Sequence, residues 1–276
     1  MADGFSRDWD DAYSNGPHIP GGAEYPARWQ AEAAAHRETM RATGRMREGL
    51  AYGAGARARY DLFLPEGTPR GLAVFVHGGF WMRFDKSSWS HLAKGPLAHG
   101  FAVAVPSYDL CPQVRIGEIA RQVAAAIGAA ATEVSGSIHL AGHSAGGHLV
   151  TQMIVEATPL AEALRRRLRK VVSISGLHDL RPLLKTAMNA TLRLDLAEAR
   201  AQSAALQEPR PGVDLTCWVG AGERPEFVRQ NALLANVWTG FDVLVERVEE
   251  AGRHHFDVVE GLAEPGHALT GKLLGL

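Results

Sequence analysis

The sequence predicts an α/β fold, a mostly parallel central sheet with helices on both faces. Three observations point to it. Short apolar runs alternate with helical patterns from Tyr52 onward. Several of those runs are near-continuous in Val, Ile, Leu and Ala. One of them leads straight through a Gly-rich turn into a helix, at Gly142-His143-Ser144-Ala145-Gly146. Runs without polar alternation suit strands covered on both faces, and strand–helix alternation favours parallel crossovers.

The elements follow in chain order. An aromatic arm punctuated by Gly and Pro (Tyr13-Ser14-Asn15-Gly16-Pro17, then His18-Ile19-Pro20-Gly21-Gly22) precedes an Ala/Glu/Arg-rich helix over 26–43, which Gly44 ends. Carrying Trp9, Tyr13, Tyr25 and Trp29, the arm holds too much aromatic surface to stay in water. Residues 1–50 are therefore expected to pack as arm and helix on a main domain of 51–276, and over its site. Strands are expected at 58–64, 71–76, 101–105, 137–141, 170–174, 214–219 and 243–248. Helices are expected at 89–99, 116–132, 147–156, 225–238 and 267–274. The Leu/Ala/Arg-rich stretch 180–211 is longer than one crossover needs and is expected to form a small helical cap over the strand ends, where open α/β sheets bind ligands.

Composition sets the outer limits. The 276 residues are 46% hydrophobic and 21% charged, the balance of a globular chain with a substantial core. A formal net charge of −1 leaves no field to draw in nucleic acid or an acidic membrane, so neither is expected as a partner. Cys111 and Cys217 are too few for a disulfide framework. The acidic start lacks the apolar stretch of a signal peptide, and no run is long enough to span a bilayer. These features make the cytoplasm the expected location. The partners expected are a small-molecule substrate and, at most, a second copy of the chain in a homodimer.

The chemistry concentrates at two strand ends. Gly142-His143-Ser144-Ala145-Gly146 has the G-x-S-x-G pattern of a nucleophile elbow, in which a tight turn presents the serine hydroxyl and small neighbours let strand and helix approach. Upstream, Val74-Phe75-Val76 runs into His77-Gly78-Gly79-Phe80-Trp81, where such a fold supplies part of an oxyanion hole. Bare amides there, from Gly78, Gly79 or Phe80, would join that of Ala145 in stabilising charge on a tetrahedral intermediate. His77 is expected to support the loop by hydrogen bonding. A carboxylate is needed after a later strand. Glu223 in Gly220-Ala221-Gly222-Glu223 is the choice, with Glu226 as rival and Asp179 third. The base is expected after the last strand, where His254 and His255 are adjacent and only one can face the serine. His255 is preferred. The order serine, acid, histidine is that of α/β-hydrolases.

With these segments assembled, the chain resembles α/β-hydrolases of the kynurenine formamidase (arylformamidase) type. The likeness rests on His77-Gly78-Gly79-Phe80-Trp81, close to that family's HGGYW; on Gly142-His143-Ser144-Ala145-Gly146-Gly147-His148; on Ser175-Gly176-Leu177-His178-Asp179-Leu180-Arg181-Pro182-Leu183; on Gly220-Ala221-Gly222-Glu223 with Pro225-Glu226-Phe227-Val228-Arg229-Gln230; and on His255-Phe256. Tyr13-Ser14-Asn15 echoes it as well. The resemblance implies an α/β-hydrolase fold and hydrolysis of an N-formyl aromatic amine to the free amine and formate. Two positions depart from the pattern: Phe80 stands where Tyr is usual, and Glu223 where Asp is frequent.

Phe80 and Trp81, with Trp89 or Phe84, are expected to wall an aromatic leaving group. A carboxylesterase for short acyl esters would use the same residues, and a catalytically silent binding protein on this fold is the alternative from another class. No cofactor is expected. No metal is expected either: His139 and His143 fall across a strand and a turn, and no H-E-x-x-H is present. The basic run Arg165-Arg166-Arg167-Leu168-Arg169-Lys170 is read as a solvated helix end.

Overall fold

Eight strands join into one sheet in the order β1-β2-β4-β3-β5-β6-β7-β8 in a computed structural model that describes residues 7–276. The opening of the chain, read above as lacking a signal peptide, lies partly outside the described residues. The strands are β1 (Met46–Ala51), β2 (Arg59–Phe63), β3 (Gly71–Val76), β4 (Ala102–Pro106), β5 (Ser137–His143), β6 (Leu168–Ile174), β7 (Asp214–Gly220) and β8 (Val245–Glu250). β2 runs antiparallel to both its neighbours, and every pair from β4 to β8 is parallel. β3, β4 and all of β5 beyond its first residue are buried. That explains why their sequences show no polar alternation.

β1 has no counterpart in the expected list. Its sequence, Met46-Arg47-Glu48-Gly49-Leu50-Ala51, is polar and mostly exposed, and the pairing with β2 shifts register between Arg47 and Leu50. An edge strand with charges and an irregularity is protected against pairing with other chains, and the same features hide it from hydropathy patterns. β8 is the other edge and begins two residues later than expected, again with exposed charges.

Among the described residues ten α-helices accompany the sheet: α1 (Trp9–Tyr13), α2 (Tyr25–Ala42), α3 (Lys94–Ala98), α4 (Ile116–Glu133), α5 (Ala145–Thr151), α6 (Glu162–Arg165), α7 (Asn189–Leu192), α8 (Leu196–Ala201), α9 (Pro225–Trp238) and α10 (Ala268–Leu274). α2 and α9 both begin with Pro in the first turn, where its missing N–H costs nothing. α4 buries Ile116, Ile119, Ala120, Val123 and Ile127 along one stripe. The helix expected over 89–99 is instead a 3-10 turn, Ser90–Ala93, followed by α3. Gly95 and Pro96 sit inside this region and interrupt a longer helix. The stretch 180–211 is a chain of short turns and helices rather than one body. Within the basic run, Arg167 donates to the carbonyls of Ala131 and Gly136 and so caps the end of α4. Among the described residues no helix is long and apolar enough to cross a membrane.

Register brings the chemistry-bearing loops together. Val76 pairs with Gly142, so the loop after β3 lies beside the turn after β5. Gly220 pairs with Glu250, so the loops after β7 and β8 are also neighbours. β6 separates the two pairs, and backbone bonds from Ser144 N–H to Ile174 and from Ser175 N–H to Trp218 bridge across it. The close approach needs glycine at two places. A Cβ on Gly146 would lie 1.9 Å from the Val76 carbonyl oxygen, and one on Gly142 would lie 2.1 Å from that of Gly146. Backbone cannot yield as a side-chain tip can. Gly146→Ala is expected to cost about 3 kcal/mol or more, by overpacking. A urea titration of Gly146→Ala beside the parent chain checks this.

Candidate active site

Ser144 sits at the head of α5 with φ 56° and ψ −117°, a left-handed backbone that a serine adopts only when its surroundings impose it. The imposing contacts are the glycines just described and the Ser144 N–H bond to Ile174. Among the described residues no group hydrogen-bonds the Ser144 hydroxyl. Ser144, His143 and His255 line one cavity of about 660 Å³.

His255 Nδ1–H donates to Glu223 Oε2 at 2.6 Å, with both side chains essentially buried. A carboxylate only accepts, so this bond puts a ring proton on Nδ1, and in the neutral ring Nε2 is then the nitrogen with the free lone pair. The other carboxylate oxygen, Glu223 Oε1, accepts the Gly220 N–H at 2.9 Å and the Ser175 hydroxyl. These two donors hold the longer glutamate arm in one orientation. The rival residues have other partners. The Glu226 carboxylate, wholly inaccessible, accepts from Tyr13 Oη at 3.0 Å, Gln230 Nε2 at 2.9 Å, Arg7 and Arg229. Asp179 pairs with Arg181. His254 faces Asp257 and the Tyr25 hydroxyl.

The amides of Gly78, Gly79, Phe80 and Ala145 meet no acceptor among the described residues. Gly78 and Ser144 are close neighbours: a Cβ on Gly78 would be 3.0 Å from Ser144 Cβ. His77 donates through Nδ1–H to the Gly78 carbonyl at 2.8 Å, and its ring stacks on Tyr108 at 4.2 Å.

Phe80 lines the cavity with Phe84, Trp89 and Phe256, but Trp81 does not. Trp81 is fully buried and packs edge-on against His148 at 5.2 Å, on the core side of the loop. The turn's positive φ at both Phe80 and Trp81 sends the two rings to different surroundings, which a linear reading of adjacent aromatics misses.

Half of the residues lining the cavity come from the arm and the start of α2, among them Asp10, Tyr13, Asn15, Pro17, Pro26 and Trp29. The stretch 180–211, expected as the cap, contributes Met188. Two further residues escaped the sequence reading. His143, weighed there only as a metal ligand, donates Nε2–H to the His255 carbonyl at 2.8 Å, and the two rings are 4.7 Å apart. Ser175 steadies Glu223 from the end of β6. Its signal is its place at a strand end, next to the strand that leads to Glu223. Among the described residues no group of three or more His, Cys, Asp or Glu is arranged to hold a metal.

Burial holds the surrounding imidazoles neutral: His77 and His148 are lowered to about 4, His178 to about 3, and His143 well below its ordinary value. Desolvation of the charged ring is the leading cause in each case. In the unfolded chain these rings titrate near 6.5, so above that pH they take nothing from stability. As pH falls below 6.5 the unfolded state binds protons that the folded state refuses, until the folded values are reached. Stability is therefore expected to decline from pH 6.5 toward pH 4, by about 2 kcal/mol per buried ring at pH 5. Urea midpoints measured from pH 8 to pH 5 check the trend, which should be flat at the top of the range.

A family profile described as the α/β-hydrolase fold matches residues 73–255. The chain is 32% identical over 233 residues to a kynurenine formamidase of Drosophila melanogaster, covering 78% of this chain and 76% of that one. To a kynurenine formamidase of Salmo salar it is 28% identical over 236 residues, covering 81% and 79%. A crystal structure of a candidate thioesterase from Silicibacter sp. TM1040 superposes with a TM-score of 0.93 at 50% identity, covering 98% of this chain and 100% of that one.

Proposed function

The chain belongs to the α/β-hydrolase family, on its arylformamidase-like side, and on that premise we propose that it is a serine hydrolase that releases formate from an N-formyl aromatic amine, N-formylkynurenine or a relative of it. The observation that carries the reading is the buried Nδ1–H bond from His255 to Glu223, formed at the wall of the cavity that Ser144 also lines.

The residues divide the work as follows. Ser144 Oγ attacks the formyl carbon as His255 Nε2 removes its proton, and the Glu223 carboxylate stabilises the imidazolium through Nδ1–H. The negative charge on the carbonyl oxygen is received by the free amides of Ala145 and the Gly78-Gly79-Phe80 turn. Losing one such donor typically costs about a hundredfold to a thousandfold in rate. His255 returns its proton to the departing aryl amine as the C–N bond breaks. A water activated by the same imidazole then cleaves the formyl ester of Ser144, giving formate and free serine. Phe80, Phe84, Trp89 and Phe256 supply flat apolar surface for an aryl leaving group. A short-chain carboxylesterase would use the same residues with an alkoxide as leaving group.

Replacing Ser144 by Ala, His255 by Asn or Glu223 by Gln is each expected to lower kcat by about a thousandfold or more. His254→Asn and Glu226→Gln should retain catalysis, and a dead His254→Asn enzyme would overturn the assignment of the base. Comparing kcat/KM on N-formylkynurenine and p-nitrophenyl acetate separates the two substrate readings. Ester turnover without formamide turnover would overturn the formamidase reading. A fluorophosphonate probe should label the parent chain and not Ser144→Ala, and absence of labelling would favour a silent binding protein.

A further inference from the structure

Arg83 is the one cation among the residues that line the cavity, and its guanidinium forms no hydrogen bond or ion pair with any described residue. The residue is exposed, on a cavity wall that also carries the aromatic rings of Phe80, Phe84 and Trp89. The single carboxylate on that wall, Asp10, accepts the Ala187 N–H at 2.7 Å and makes no ion pair with Arg83.

The backbone beneath Arg83 is held firmly although its side chain is free. Arg83 N–H donates to the Gly79 carbonyl at 3.1 Å, and Met82 N–H to the same oxygen at 3.0 Å. A Cβ on Gly79 would meet the Arg83 carbonyl oxygen at 2.6 Å, so the two residues are packed backbone to backbone. On the far side Arg57 donates to the Phe84 carbonyl. Positive φ at Phe80, Trp81 and Phe84 shows a turn bent into costly conformations, which persist when the neighbours demand them. A fixed turn thus joins the amides offered to the reacting carbonyl with a free cation a few residues on.

We propose that Arg83 forms an anion subsite that binds a carboxylate carried on the aromatic leaving group. The guanidinium is permanently charged and presents paired donors matched to a carboxylate, while Phe80, Phe84 and Trp89 hold the ring between that anion and Ser144. A formyl group has no room for a charged substituent, so the carboxylate belongs to the amine side of the scissile bond. This rests on the hydrolase reading of the same cavity and narrows its substrates to anionic anilides over neutral ones.

Two measurements keep the subsite and the reaction apart. In the first, kcat/KM is compared for 3- and 4-formamidobenzoate and their neutral formamidobenzamides. In the second, 3- and 4-aminobenzoate and the matching aminobenzamides are titrated calorimetrically into the Ser144→Ala protein, where no chemistry is required. The carboxylate member of at least one pair should be preferred by about tenfold or more, the usual value of a charged hydrogen bond. Arg83→Met should bring that ratio to within about twofold, and Arg83→Lys should keep part of it as a point charge. Added salt should erode the preference, since the cation is exposed. A carboxylate preference that persists undiminished in Arg83→Met, or no carboxylate preference in the unmodified cavity, overturns the subsite. Absence of turnover by the parent chain together with an Arg83-dependent binding preference would instead strike the formamidase reading and leave the subsite standing.

Discussion

A buried carboxylate facing a buried imidazole is the contact on which the site depends. Glu223 and His255 come from loops after different strands, and each loses its water when the sheet assembles. An ionised carboxylate in such a place is tolerable only when its lone pairs are occupied. Gly220, Ser175 and His255 occupy those of Glu223, drawing donors from the ends of β6, β7 and the loop past β8. Satisfying one carboxylate therefore brings three strand ends into a single geometry. His143 adds a tie from the strand that leads to Ser144 to the His255 backbone. The serine's strand and the histidine's backbone are in this way held to each other by one buried imidazole-to-carbonyl bond.

The parts of the fold that were legible in the sequence are those whose constraints are local. Gly142 is dictated by a clash with the Gly146 carbonyl inside its own turn, and Gly146 is legible from the same short motif although the backbone it must clear is that of Val76. The buried strands carry unbroken apolar runs because both faces are covered. The residues 77–80 are recognisable because a strand ends there in glycines. What escaped is set by partners remote in sequence. β1 has the composition of a loop because half of its surroundings are water. The helix expected over 89–99 contains good formers, but Gly95 sits against the Leu262 carbonyl and Thr270 of α10, and Pro96 beside it breaks the helical bonding. Trp81 is chemically indistinguishable from a cavity aromatic, and only the handedness of its backbone turns it inward.

Glu226 teaches the same lesson from the other direction. By position, one turn past the Glu223 loop, it is a reasonable rival for Glu223. Tyr13 and Arg7 lie more than two hundred residues away in the chain, and they are what give it a different task. Its carboxylate is a docking post for the arm, and the arm together with the start of α2 supplies half of the cavity's lining. The enzyme core defined by the family profile begins only at residue 73, so the segment that most shapes the cavity lies outside it.

That arrangement has a practical corollary for anyone preparing the protein. Trimming the first two dozen residues as a dispensable leader would remove a wall of the reaction chamber. It would also strip an interior anion of its phenolic partner and one of its cations, leaving Arg229 and Gln230 to hold it alone. A shortened chain would thus lose selectivity and folding yield together.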